Sequence, residues 1–382
     1  MNETRKKRKK GIGCIKKFFL AILILLVAGV VSGLLFMSFH PVFGDTPGEE
    51  QQEAFEELEN FRDGRFINEP DLEQGMDFGS LISLIREWTD GDRNRTPTEP
   101  LSVMEPNWEK IEGDEESLTW FGHSNFLLNL GGKRILIDPV FSDVVSPISF
   151  MGSRRFTKDI FPMIEALPPI DALFITHDHY DHLDYPSILA LKEKTEHFFV
   201  PLGVEAHLME WGIEEERITS MNWWEEVEWK GLQVAAVPAR HYSNRTLFGA
   251  GRTLWSGWVI ESEDTNLFIS GDTSYGDHFK AIGEAFGPFD LTLMEGGQYD
   301  HRWADSHMFP EESLRAHQEV KGEVMMLMHW GAFSLAPHAW DDPIIRAVKG
   351  AEEKGISMIA PRIGETLSLE DLNQPINPWW EE

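Results

Sequence analysis

"FITHDHYDHLD", Phe174 to Asp184, decides the fold: three histidines and three aspartates occupy the eight positions 177–184, directly after an apolar run. His177 and His179 lie two residues apart, so a backbone leaving a strand points both imidazoles to one side. Asp181 and His182 follow at a spacing that no single helix face shares with the first two, and a turning loop is expected to gather all four around a small volume. Imidazole nitrogens and carboxylate oxygens are suitable Zn²⁺ ligands at about 2.0–2.2 Å. Surface histidines on a polar loop are the plainer reading, but four potential ligands ending a buried strand argue against it.

One loop seldom completes a binuclear site, so further ligands are expected at later strand ends. His241 follows "VAAVPAR", Asp272 follows "NLFIS" and His329 closes "VMMLM". Open sheets present functional groups at such positions. The surrounding pattern supports the sheets. "LTWFG", "FLLNL" and "RILIDP" read as antiparallel strands parted by turns. "DALFIT", "HFFVP", "LQVAAVPA", "TLWSGWVIE", "NLFISGD", "DLTLMEG" and "VMMLMHW" read as later strands. Helices are expected over "PSILALKEK", "GVEAHLMEWG", "DHFKAIGEAFG", "PEESLRAHQEV" and "DPIIRAVKGAEEKG". Mixed strands with interspersed helices predict an α/β fold, two mixed sheets in a sandwich with helices outside.

The ends of the chain differ from this body. Eight Lys or Arg fall within residues 1–17, and residues 18–39 carry no charge. Those 22 residues make enough helix to cross about 30 Å of hydrocarbon, whereas the apolar region of a cleavable signal peptide runs only about 7–15 residues. The layout predicted is a basic cytoplasmic tail (1–17), a transmembrane anchor (18–39), an acidic linker with packing segments (40–103) and one main domain (104–382). The positive-inside rule puts the tail in the cytoplasm and residues 40 onward across the membrane. Within the linker, "FGSLISLIREW" has the apolar spacing of a helix that docks on the body, and "TDGDRNRTPTEP" reads as a loop. Gly29 and Gly33 have the spacing that pairs membrane helices, which allows a homodimer. A net charge of −30 argues against a nucleic-acid partner. The only cysteine, Cys14, leaves the remainder without disulfides or thiolate ligands.

HxHxDH, then a distant His, then GDT, then another His, resembles the metallo-β-lactamase fold hydrolases. "LTWFGHSNFLL", "ILIDPVFS", "SPISFMGSRRF", "FVPLG", "NWWEE", "GDTSYG", "FGPFDL" and "MHWGAF" narrow the resemblance to the N-acylphosphatidylethanolamine-hydrolysing phospholipases D and their bacterial relatives. "GRFIN" (64–68) extends it upstream, to cover roughly residues 62–342. The resemblance implies two zinc ions, the first on His177, His179 and His241, the second on Asp181, His182 and His329, with Asp272 bridging; iron or manganese suits the same ligands. Asp181 and Asp272 would then hold a metal-bridging hydroxide that attacks a phosphodiester. His123, His307 and Tyr299 match positions near substrate or behind the ligands. The chain departs from the family at Asp178, where the mammalian enzyme has an amide, and at Glu295 and His301, where apolar or proline residues are expected.

The resemblance and the anchor together predict a membrane-bound phosphodiesterase that hydrolyses N-acylphosphatidylethanolamine-like phospholipids to N-acylethanolamine and phosphatidic acid. The same centre suits a lactone or amide, so a small-molecule hydrolase is the alternative. A non-enzymatic tethered module is the third reading, disfavoured because every expected ligand is present.

Overall fold

The predicted strands form, in a computed structural model that describes residues 2–68, 78–89, 94–245, 249–372 and 374–382. Part of the loop expected at 89–100, residues 90–93, lies outside the described residues. Chain contacts separate Met1–Gly44 from Asp45–Glu382. In the first unit one helix runs Asn2–Phe39. Its Lys17–Phe39 portion, 23 residues, is long and apolar enough to cross a membrane.

Among the described residues of the second unit are two seven-stranded sheets. The first opens with β1 (Ser117–Trp120), β2 (Phe126–Leu130) and β3 (Lys133–Ile137), an antiparallel meander. It continues in parallel through β4 (Ile170–Phe174), β5 (Thr195–Pro201) and β6 (Ile218–Met221). The second sheet repeats the plan. β7 (Glu226–Trp229), β8 (Leu232–Val237), β9 (Gly257–Glu261) and β10 (Asn266–Ile269) are antiparallel. β11 (Phe289–Glu295), β12 (Gly322–Met328) and β13 (Ser357–Ile359) then run parallel. The last strand, β14 (Thr366–Ser368), crosses back to pair with β1. Parallel strands are covered on both faces, which is why β4, β11 and β12 read as nearly unbroken apolar runs.

The sheets face each other across one core. Trp258 of β9 lies edge-on to Phe174 of β4 at 5.2 Å, and its indole N–H donates to the Ile175 carbonyl at 3.0 Å. Helix Pro310–Glu319 covers β11 and β12 from outside, with helix Asp342–Lys354 beside it. Many of the Trp and Phe residues serve this core, including Trp120, Trp330, Trp379 and Trp380 in one aromatic cluster.

Part of the stretch read as a linker is built into the same unit. Helix Glu49–Phe55 and the hairpin Phe61–Arg62/Arg65–Phe66 bury Phe55, Phe61 and Phe66 against Trp223, Leu254 and Trp255. Helix Phe78–Thr89 forms as expected, but its apolar stripe is not the docked face. Leu81, Ile82, Ile85 and Trp88 stand exposed, whereas Glu87 pairs with the buried Arg302 guanidinium at 2.6 Å. Asp300 pairs with the same guanidinium, Glu87 adds a second carboxylate to that buried charge, and the half-buried Leu84 lies on the same inward side.

Trp258 is fully buried between the sheets, so Trp258→Ala should cost about 3–5 kcal/mol. Urea unfolding of the metal-free, detergent-solubilised chain measures this; a loss below about 1 kcal/mol would contradict the packing described.

Candidate metal centre

Four strand ends converge. The chain leaving β4 carries His177, His179, Asp181 and His182; His241 follows β8, Asp272 follows β10 and His329 follows β12. Gly271 makes the close approach possible: its φ is +61°, and a Cβ there would meet the Ser256 carbonyl oxygen at 2.6 Å. The seven side chains predicted as ligands all arrive. His177 Nε2 and His241 Nε2 lie 2.9 and 3.2 Å from His179 Nδ1, and each is 3.8 Å from Asp272 Oδ2. On the other side, His182 Nε2 and His329 Nε2 lie 3.3 and 3.2 Å from that same oxygen. They stand 3.6 and 3.2 Å from Asp181 Oδ2. Asp272 Oδ2 therefore belongs to both sets.

These atoms fit divalent cations. Ligands about 2.0–2.1 Å from a tetrahedral ion stand about 3.3 Å apart, close to the spacings above. His182 Nε2 and Asp272 Oδ1 are buried without a hydrogen-bond partner. Three ring nitrogens converge in the first set, which without a cation would set lone pairs against one another. Burial, then the neighbouring imidazoles of His182, His179 and His241, pushes His177 well below its ordinary pKa. Burial opposes charge on His329, yet Asp272, Asp181 and Glu295 raise it to about 9. Burial also opposes ionisation of Asp272, but His182 and His329 hold its carboxyl well below the usual range.

A second layer orients the rings. Asp138, buried at the end of β3, accepts from His182 Nδ1 at 2.7 Å, from the Thr176 hydroxyl at 2.7 Å and from the Thr176 amide at 2.8 Å. Thr176 Oγ1 in turn accepts from His177 Nδ1 at 2.9 Å, and the Ser306 carbonyl accepts from His241 Nδ1 at 3.0 Å. Asn68, from "GRFIN", clasps the His241 backbone through both amide atoms. Asp138 and Asn68 went unread in the sequence. Asp138 carries the signal that found Asp272, an acid closing an apolar strand. Asn68 carries no local signal, because its partner lies 173 positions away. His123, Asp138 and His329 all hold positive φ (57°, 39° and 69°), backbone strain that surrounding packing must sustain.

His123 is sealed behind the centre and donates Nε2–H to Asp181 Oδ2 at 2.9 Å. His307 lines a cavity of about 650 Å³ over the converging side chains, together with Tyr242, Arg65 and Leu84. Tyr299 does not line it: its hydroxyl donates to Asp342 and its ring stacks on His338, because a buried phenol needs a partner and helix Asp342–Lys354 supplies one. The extra charge of Asp178 accepts the Asn244 amide at 3.0 Å, while the buried Arg245 binds the Asp178 carbonyl at 2.8 Å.

The Beta-lactamase superfamily domain family matches residues 133–330, a span that holds all seven converging side chains. An uncharacterized protein of Mycobacterium tuberculosis is 38% identical over 332 residues, covering 85% of this chain and 88% of that protein. The Caenorhabditis elegans N-acyl-phosphatidylethanolamine-hydrolyzing phospholipase D 1 is 35% identical over 230 residues, 57% of this chain and 64% of that protein. Among solved structures, a metallo hydrolase of Ignicoccus hospitalis superposes with a TM-score of 0.52 at 23% identity, over 66% of this chain and 97% of that one. That likeness supports the fold.

Asp138→Asn keeps the shape but replaces a charged acceptor that His182 and Thr176 share. Metal affinity should fall about 10–100-fold, read by competition with a chelator. Unchanged affinity would remove Asp138 from the second layer.

Proposed function

The chain belongs to the Beta-lactamase superfamily, as a metallo-β-lactamase fold hydrolase, and from that membership we propose that it is a membrane-anchored, di-zinc phosphodiesterase of phospholipase D type. Its substrates are N-acylphosphatidylethanolamine-like phospholipids, and its products N-acylethanolamine and phosphatidic acid. The observation that carries this reading is the carboxylate oxygen of Asp272 shared by two ligand sets. Its substrate half rests on the likeness to the nematode phospholipase. His177, His179 and His241 would hold one ion, and Asp181, His182 and His329 the other, with the Asp272 carboxylate available to both sets. A pair of divalent cations so held supplies positive charge to a phosphodiester and lowers the pKa of water toward neutrality.

The chain's own groups do the remainder. Asp181 and Asp272 set the negative charge that retains two cations, and His123 holds Asp181 in register. His307, lining the cavity, places an imidazole where a departing alkoxide needs a proton. Arg65, exposed on the cavity wall, offers a guanidinium to phosphate oxygens. The exposed Leu81, Ile82, Ile85 and Trp88, on the helix whose Leu84 lines the cavity, favour a lipid surface as the source of substrate. The apolar segment Lys17–Phe39 supplies the anchor. The basic residues before it set the N-terminus in the cytoplasm and the catalytic domain outside.

Detergent-solubilised, zinc-loaded chain should release both products from N-acylphosphatidylethanolamine, followed by mass spectrometry. His177→Ala and chelator-treated protein should be inactive. Turnover no greater than that of His177→Ala ends the lipid reading. A polar cavity wall that includes Asn244, Gln298 and Ser306 also suits a lactone, so hydrolysis of lactones without phospholipid turnover would select the small-molecule alternative.

A further inference from the structure

Glu295 ends β11 fully buried, at a position the mechanism above does not use. Its Oε2 accepts the Met308 amide at 2.8 Å. Its Oε1 lies 3.1 Å from His307 Nδ1 and 3.5 Å from His329 Nδ1. The first is a hydrogen bond. The second is longer, yet His329 Nδ1 is buried with no hydrogen bond of its own, and Glu295 is the carboxylate within reach. The two rings lie parallel, 5.4 Å apart and 4° from coplanar orientation, flanking one oxygen. We propose that Glu295 is a positioning residue that sets both rings at once: it fixes the proton of His329 on Nδ1, leaving Nε2 for the metal, and orients His307 over the cavity.

A neutral imidazole carries one N–H, so an acceptor at Nδ1 selects the tautomer whose Nε2 has a free lone pair. His182 is served in this way by Asp138, on the first sheet. Glu295 serves His329 from the second, and it alone also reaches a ring that lines the cavity. The carboxylate is therefore a shared link between the metal-ligating groups and the side chain that meets substrate.

An amide fails here for a specific reason. Met308 N–H and the two imidazoles all present donors to Glu295, which as a carboxylate is acceptor-only. Glu295→Gln must turn its NH₂ either toward Met308 N–H or toward the imidazoles. In the second case His329 must move its proton to Nε2, where it blocks coordination.

The inference rests on the binuclear reading, and the experiment separates the two. Full-length wild type, Glu295→Gln, Glu295→Leu and His307→Gln are titrated with Zn²⁺ against a graded chelator. Metal content and the visible spectrum of the Co²⁺ forms are recorded. Wild type should hold two ions. Glu295→Gln should bind its second ion about 10–100-fold more weakly with an altered Co²⁺ spectrum, while His307→Gln keeps both ions and loses turnover. Fewer than two ions on wild type overturns the binuclear reading itself. Two ions held equally well by wild type, Glu295→Gln and Glu295→Leu, the last of which offers the rings no acceptor in any orientation, overturns the role of Glu295. So does an equal metal loss in His307→Gln, since the carboxylate would then act only by holding the loop. Should Glu295→Gln fail to fold, Glu295→Asp replaces it: the carboxylate then withdraws by one methylene, and weakened second-ion binding supports the role while unchanged binding overturns it.

Discussion

One carboxylate oxygen, Asp272 Oδ2, stands within 3.8 Å of four imidazole nitrogens in a pocket almost closed to water. Polar groups concentrated this way are unfavourable unless something positive lies between them, because burial removes the solvent that would otherwise separate their lone pairs. The apolar core around the centre holds them in place. That core sustains three positive-φ residues beside the site, and buried partners orient the rings of His177, His182 and His241, so little rearrangement is left there for a cation to induce.

The two halves of the molecule meet at this centre in a way that ties its dimensions to sheet packing. Residues following β3 and β4 come from one sheet, and those following β8, β10 and β12 from the other. The distance between the sets is set by bonds that cross the sandwich: Trp258 to the Ile175 carbonyl at 3.0 Å, and the Ser256 amide to the Thr176 carbonyl at 3.0 Å. Thr176 precedes His177 and also bonds Asp138, so this inter-sheet contact bears directly on two ligating rings. A slip of one sheet against the other would part Asp272 from half of its neighbours. Fold stability and metal geometry are thus coupled through the same few residues.

What could be read beforehand follows from how local each signal is. His177 to His182 announce themselves within six positions, and His241, Asp272 and His329 each close an apolar run. Strands buried on both faces were equally plain. β6, β7, β13 and β14 were not: they are short or half-exposed and carry few apolar residues, so their pairing is decided by neighbours far along the chain. The hold of Asn68 on His241 is invisible for the same reason, since a hydrogen bond across 173 positions leaves no pattern in the sequence. Tyr299 shows the converse. Its family match suggested a place near substrate or behind the ligands, and its hydroxyl and ring are taken up by Asp342 and His338. The helix Phe78–Thr89 had the right periodicity and the wrong inward face, because periodicity reports amphipathicity and not which side meets the body.

The acidity of the chain bears on how an enzyme of this kind would meet lipid. A net charge of −30 repels an anionic bilayer, and adsorption from solution would be poor. Covalent attachment to a membrane helix changes the comparison, because a tether holds the domain at a high effective concentration near the surface without any electrostatic attraction. Under the proposed reading, eight basic residues on the far side of the span orient the chain, and the acidic domain needs only local apolar contact to draw a lipid toward its cavity. The outward stripe of Leu81, Ile82, Ile85 and Trp88 is of that kind: short, apolar and on the helix that contributes Leu84 to the cavity wall.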